Sequence, residues 1–282
     1  LEANPCTLNE QKLKDFKSAG INRLSLGIQS ADDIQLKFLG RLHDSKTAQT
    51  AAETAYKTGF ENISGDIMLG LKGQDIQSLE STVAAMCAMP LSHISAYMLK
   101  IEENTAFDSD RIRAVTADEE LMCELYLKTA ELLESRGFEH YEISNFAKNG
   151  RVSRHNLKYW QGEEYLGFGA AAHSFFCGRR YRCFDDINAF ISSKVQPTEI
   201  LEESVDRAEE YILLGLRLKE GISLDIISKL YSPAACERLA KKAELYQKAG
   251  LVSLNGDRLS LTVRGFLVSN SLIAGFIEAA GS

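Results

Sequence analysis

The strongest constraint on what this 282-residue chain can fold into is a repeated alternation of a short apolar strand and a helix-length amphipathic stretch stopped by Gly20, Gly59 or Pro90. RLSLGI (23–28), NISGDIML (62–69) and HISAYML (93–99) each follow such a stretch. Antiparallel neighbours need only a tight turn, whereas a whole helix between strands implies parallel pairing with right-handed crossovers. Helix starts are expected at Thr7 with Glu10, at Ser45, at Asp75, and at Thr116 with Glu119, where short polar side chains can satisfy free backbone N–H groups. Another strand is expected over residues 138–144, after the stop at Gly137. Beyond it the rhythm dissolves into a Gly-, Ala- and aromatic-rich region with strands expected near 165–168 and 179–184, where loops and a ligand are expected.

From about residue 203 the pattern becomes short helices (204–218, 223–231, 233–249), a hairpin at Asn255-Gly256 and an apolar helix over 263–279. This order is that of a winged-helix-like α+β module. Modules of this kind often read DNA with their third helix. Here ten Lys and Arg balance ten Asp and Glu over 203–282, and the third helix mixes Lys241, Lys242 and Lys248 with Glu237 and Glu244. Phosphate binding needs a positive footprint, so nucleic acid is not an expected partner and a structural or docking role is. The expected domains are therefore 1–200 and 203–282. A net charge of −7 points the same way, and 45% apolar with 25% charged residues excludes a disordered chain. No apolar window reaches membrane-spanning length, and the six cysteines are widely spaced with no C-x-x-C pair. Reduced thiols in the cytoplasm are expected, without a zinc knuckle.

In a parallel βα array ligands gather at the carboxyl ends of the strands. Glu2, Gln29, Arg41 and Asp66 fall at or near those ends. A carboxylate suits a ribose diol, an amide a hydroxyl, and a guanidinium a carboxylate, so together they describe a site for a zwitterionic nucleoside. Each also has an ordinary alternative: Glu2 as a frayed surface residue, Arg41 in a surface ion pair, Asp66 as a turn or cap.

The segments EANP, NRLSLGIQS, LGRLH, NISGDIMLGLKGQ, HISAYML, HYEISNFA, RHNLKYW, YLGFGAAAHS and LGLRLKEGI stand in order along the chain. In this order and spacing they closely resemble the radical S-adenosylmethionine family of oxygen-independent coproporphyrinogen III oxidases, and within it the heme-chaperone branch. The resemblance runs from Glu2 to about Gly265. It implies an α/β fold, a partial parallel (β/α)6 barrel whose open end holds a [4Fe-4S] cluster and S-adenosylmethionine. It further implies that Glu2 contacts the ribose, Gln29 a polar group of the cofactor, Arg41 the methionine carboxylate, and Asp66 the nucleoside side.

The family's CxxxCxxC loop and the first two barrel strands have no counterpart here. The expectation is a truncated chain starting at the third strand, which as given neither builds the cluster nor turns over. Cys6 stands where the family has Gly in EANPG, Lys72 where it has Pro in GLPGQ, and Ala171 where it has Gly in GAGAH.

RHNLKYW contains HNxxYW, a pattern that resembles the chaperone branch. It offers an imidazole, His155, as a possible ligand to heme iron, beside aromatic Tyr159 and Trp160 that can stack on a macrocycle. The alternative is that His155 orders a loop and Trp160 fills core. His173 and His43 are expected to be structural. Heme transfer is the leading reading, with a heme or porphyrin ligand, an acceptor protein and an electron donor left unnamed, and peripheral membrane contact left open. Oxidative decarboxylation of coproporphyrinogen propionates and a DNA-docking regulator are the alternatives.

Overall fold

A computed structural model describes residues 1–105, 107–196 and 198–281. Contacts divide it into two units, 1–152 and 153–282. The first unit runs β1 (Glu2–Ala3), α1 (Glu10–Ser18), β2 (Arg23–Gln29), α2 (Asp33–Phe38), α3 (Ser45–Lys57), β3 (Asn62–Leu69), α4 (Ile76–Ala88), β4 (His93–Met98), α5 (Asp110–Arg113), α6 (Glu119–Ser135), β5 (Glu139–Glu142) and β6 (Asn145–Ala147). Its sheet has the order β1-β2-β3-β4-β6-β5. The first four strands are parallel, as the alternation requires, and β6 and β5 complete the sheet antiparallel. Two residues separate β5 from β6, too few for a crossover, so the pair closes as a hairpin.

One face of this sheet is apolar. Leu24, Leu26, Ile28, Ile63, Ile67 and Ile94 are completely buried. Gly65 allows the close approach: a Cβ there would lie 2.9 Å from Ile28 Cδ1, Leu91 Cδ1 and Met86 Cε, the last on α4.

The helix caps correct the expected ones by a few residues. Asp75 caps α4 as expected, with Ser78 completing a capping box. Asn9, not Thr7, caps α1 and accepts from Lys12 N at 2.9 Å. Thr7 ends a 3-10 turn and spends its hydroxyl on the Asn4 carbonyl. Asp44 rather than Ser45 caps α3, and Asp118 rather than Thr116 caps α6. At α1 and α6 this matches the stronger capping tendency of Asn and Asp over Thr, whereas Ser45, as good a cap as Asp44, is displaced because it already lies inside the helix.

The second unit runs α7 (Arg154–Trp160), β7 (His173–Phe176), β8 (Arg179–Cys183), α8 (Ile187–Ser192), β9 (Thr198–Glu202), α9 (Arg207–Gly215), β10 (Ile222–Ser223), α10 (Leu224–Leu230), α11 (Pro233–Lys248), β11 (Val252–Asn255), β12 (Arg258–Leu261), α12 (Val263–Leu267) and α13 (Ser269–Gly281). β7, β8 and β9 form an antiparallel sheet; of the expected strand at 165–168 only Tyr165 pairs, with Phe175. Arg180 joins this sheet to α9 through Glu210, and Arg207 lies over the Phe175 ring.

The α9–α13 segment is the expected winged-helix-like arrangement with three refinements. β10 adds a third strand to the wing. Asn255 pairs with Arg258, which leaves Gly256-Asp257 as the two-residue loop, with Gly256 at φ +63°. The closing helix breaks at Val268, whose φ of −118° and ψ of 23° are not helical, so that α12 packs on β12 and α13 on α11 and α9.

Candidate functional site

Because strand side chains alternate, burial of one sheet face fixes what the other carries. Opposite the apolar face lie Arg23, Ser25 and Gly27 of β2, Asn62, Ser64 and Asp66 of β3, and His93, Ser95 and Tyr97 of β4. These positions are linked laterally. Arg23 Nη1 donates to Asn62 Oδ1 at 2.8 Å, Ser64 Oγ meets His93 Nδ1 at 2.7 Å, and His93 Nε2 meets Tyr141 Oη at 2.8 Å. Burial, with the nearby Arg23 charge, pushes His93 down to about 3, so its imidazole is neutral and serves as a fixed polar strut.

The four expected residues gather around two points of this face: Glu2 and Arg41 near Asp66, which lies within β3 rather than at its end, and Gln29 with Arg41 over Gly27. Asp66 has its carboxyl pushed up to about 6, first by burial and further by the Glu2 carboxylate; the Ser95 hydrogen bond and the Arg41 and Arg23 charges oppose the shift. Glu2 and Arg41 are thus close enough to act electrostatically on Asp66. Gln29 and Arg41 meet over Gly27: a Cβ there would lie 3.3 Å from Gln29 Nε2, 3.5 Å from Arg41 Nη1 and 3.7 Å from Asn4 Oδ1. Arg41 Nη1 itself donates to Asn4 Oδ1 at 3.0 Å.

Gln29 carries the clearest mark of an incomplete site. It is 6% exposed, its Oε1 is buried without a hydrogen-bond partner, and its backbone is left-handed at φ +70° where the β2–β3 register shifts. A left-handed non-glycine residue costs roughly 1–3 kcal/mol and an orphaned buried acceptor about as much again. A donor from a ligand would satisfy the orphaned oxygen. The bare Gly27 Cα, the orphaned amide oxygen, the guanidinium and the two acids offer acceptors for hydroxyls and a fork for a carboxylate.

Sequence reasoning missed Asn4, Arg23, Ser95 and Tyr97 around this cluster. For Arg23, Ser95 and Tyr97 the signal was present in the period-2 patterns RLS and HISAYM, where every other residue is polar; Asn4 carried no such signal. The Tyr97 hydroxyl is raised by burial and also senses Asp66 and Glu2.

The second set lies on α7. His155 and Tyr159 are one turn apart, both exposed, with Tyr159 Oη and His155 Nε2 at 2.8 Å. Tyr159 meets Tyr165 edge-on with ring centroids 4.6 Å apart. Trp160 is half-buried rather than core, under the Arg217 guanidinium at 5.5 Å. His43 is buried and bonds the Ile28 carbonyl at 3.2 Å, bracing the turn after β2. His173 is exposed on β7, and the neighbouring Ala171 is left-handed at φ +61°.

The fold and its polar cluster have counterparts among known proteins. The Radical SAM superfamily matches residues 1–86 and the HemN C-terminal domain residues 204–268. The fold is that of the E. coli coproporphyrinogen III oxidase HemN, with a TM-score of 0.77, 16% identity, and coverage of 99% of this chain and 68% of that one. The heme chaperone HemW of Bacillus subtilis is 35% identical over 98% of this chain and 75% of its own length; that of E. coli K12 is 30% identical over 98% and 74%. A mitochondrial radical S-adenosyl methionine domain-containing protein 1 from Bos taurus is 41% identical over 99% and 67%. The chain belongs to the HemW family.

Radical SAM membership implies S-adenosylmethionine and a [4Fe-4S] cluster. Cys6, Cys87, Cys123, Cys177, Cys183 and Cys236 are separate free thiols, and among the described residues no three His, Cys, Asp or Glu side chains gather as a metal site. The residues present therefore do not fit a cluster. The same residues include no helix long and apolar enough to cross a membrane.

Proposed function

We propose that this protein binds heme and hands it to an acceptor protein, with α7 as the heme-binding element. The observation that carries the reading is the pairing of exposed His155 with exposed Tyr159 on one helical face, next to Trp160, in a chain whose relatives are named heme chaperones. The imidazole supplies an axial ligand and the aromatic rings supply flat apolar contact. Trp160 is the only tryptophan, so its fluorescence reports ligand arrival directly. Titration with hemin is expected to give a saturable Soret band and to quench Trp160, and His155→Ala to shift the band and weaken binding. An unchanged band and affinity in His155→Ala would remove His155 as ligand.

The barrel half is assigned S-adenosylmethionine binding through Glu2, Gln29, Arg41 and Asp66. Glu2 and Asp66 accept from ribose and nucleoside hydroxyls or amines, Arg41 pairs with the methionine carboxylate, and Gln29 turns its free Oε1 to a donor of the ligand. The four residues would bind and orient S-adenosylmethionine, whose contribution there would be its sulfonium nucleoside. Calorimetry with S-adenosylmethionine on the wild type and Arg41→Met tests the assignment, and equal affinities would refute it. The chain is read as a barrel with its extension over 1–200 and a winged-helix-like module over 203–282, in the cytoplasm, where six free thiols stay reduced.

A further inference from the structure

We propose that Tyr159 is a reversible cap on the iron-binding nitrogen of His155, so that heme binds only when the phenol swings aside. This inference rests on the heme reading of α7 and adds how that site is regulated.

The Tyr159 hydroxyl lies 2.8 Å from His155 Nε2. With the phenol donating, the Nε2 lone pair is occupied. Nε2 is the nitrogen available to a heme: Nδ1 adjoins Cβ, and a flat macrocycle centred there would run into the backbone of α7. Iron and the Tyr159 proton therefore compete for one lone pair.

The cap is built to be weak and repeatable. Both residues are exposed, one helical turn apart, so water can replace either partner when the bond opens. The ring does not drift freely, because Tyr165 holds it edge-on with centroids 4.6 Å apart, and Tyr165 is itself fixed by paired backbone bonds to Phe175 at 2.7 and 3.0 Å. The hydroxyl consequently returns to the same nitrogen once heme leaves. A ligand residue that is covered between loads suits a protein that must surrender its cargo, since the covered state opposes rebinding after release.

The capped state lowers apparent affinity by the fraction of time Nε2 is free, without changing the heme-bound state. Tyr159→Phe keeps the ring and its contact with Tyr165 and removes only the hydroxyl. Stopped-flow and equilibrium titration with hemin on the full chain are expected to show about 2- to 10-fold tighter binding for Tyr159→Phe, the net worth of one hydrogen bond. The gain should lie in the association rate, with the dissociation rate and the Soret position unchanged. A merely structural Tyr159 would leave the rates alone, and an iron-ligating Tyr159 would weaken binding and move the band. Unchanged or weaker binding in Tyr159→Phe overturns the cap. If His155→Ala also binds hemin with wild-type spectrum and affinity, the heme reading of α7 has failed; if only His155→Ala is impaired, that reading stands and the cap alone is lost.

Discussion

Gln29 Nε2 and Arg41 Nη1 converge on one point in space, 3.3 and 3.5 Å from where a Cβ on Gly27 would stand. Two side chains separated by a turn and the short helix α2 are thereby brought over a bare Cα, and the floor of the site is backbone. Gly27→Ala puts a methyl group between them. S-adenosylmethionine affinity measured by calorimetry is expected to fall about tenfold, the size of a one-methyl misfit in a polar site, while Tm moves little. Unaltered affinity would show that the ligand does not approach Gly27.

Gly65 provides the contrasting case on the apolar face of the adjacent strand. A methyl there meets three core side-chain ends at 2.9 Å. Gly65→Ala is expected to destabilise the first unit by about 1–3 kcal/mol through overpacking. Urea unfolding checks it; a midpoint equal to wild type would mean that Ile28, Leu91 and Met86 repack freely.

Asp66 links the site to pH. Its folded value of about 6 lies above the ordinary 3.8, so the folded state binds the proton more tightly than the unfolded chain. That contribution to stability is complete below about pH 3.8 and is lost as pH rises through about 6. At pH 7.5 the ionised carboxylate therefore works against folding, and Asp66→Asn should stabilise by about 1–3 kcal/mol. At pH 4 the difference should shrink to about 0.5 kcal/mol. Thermal melts of both proteins at the two pH values measure it, and a gain that persists undiminished at pH 4 would point to a cause other than charge.

Ala171 stands in a conformation that glycine adopts more readily, at φ +61°. Ala171→Gly is expected to raise stability by about 0.5–1 kcal/mol, since relief of left-handed strain exceeds the added unfolded-state entropy. Calorimetric melting is the measurement, and a lowered Tm would contradict it.

Arg180 is the main counter-charge of Glu210, a buried carboxylate that meets Arg180 through Oε1 and whose Oε2 has no hydrogen-bond partner. Arg180→Ala removes that partner and one of the two guanidinium groups over Phe175 together. The expected cost is about 1–3 kcal/mol, below that of a fully buried pair because Arg180 is partly exposed. Arg180→Ala with Glu210→Gln should recover part of the loss; no recovery would mean that the charge pairing was not the source.

Much of the barrel half was legible because its pattern is local. Three strand positions follow from apolar runs after helix stops at Gly20, Gly59 and Pro90, and the cap at Asp75 follows from its place directly before the apolar stripe that begins at Ile76. The caps at Asn9, Asp44 and Asp118 were misplaced because Thr and Ser offer the same hydrogen bond, and only the backbone path shows which side chain lies against the free N–H groups. The loop at Gly256-Asp257 was shifted by one residue for a like reason: register belongs to two strands at once.

The sequence by itself determined the alternation of the first strands with their main helices, the charge balance of residues 203–282, and the four residues Glu2, Gln29, Arg41 and Asp66 as a candidate set, since periodicity, charge and strand-end position are carried by neighbours along the chain. Only the tertiary structure decided that the last two strands close antiparallel, that Gln29 is left-handed with an orphaned oxygen, that Ser95 and Arg23 share in setting Asp66, and that Tyr159 covers His155. Those relations depend on burial and on distances of a few ångströms between side chains, many of them far apart in the chain, which no local pattern encodes.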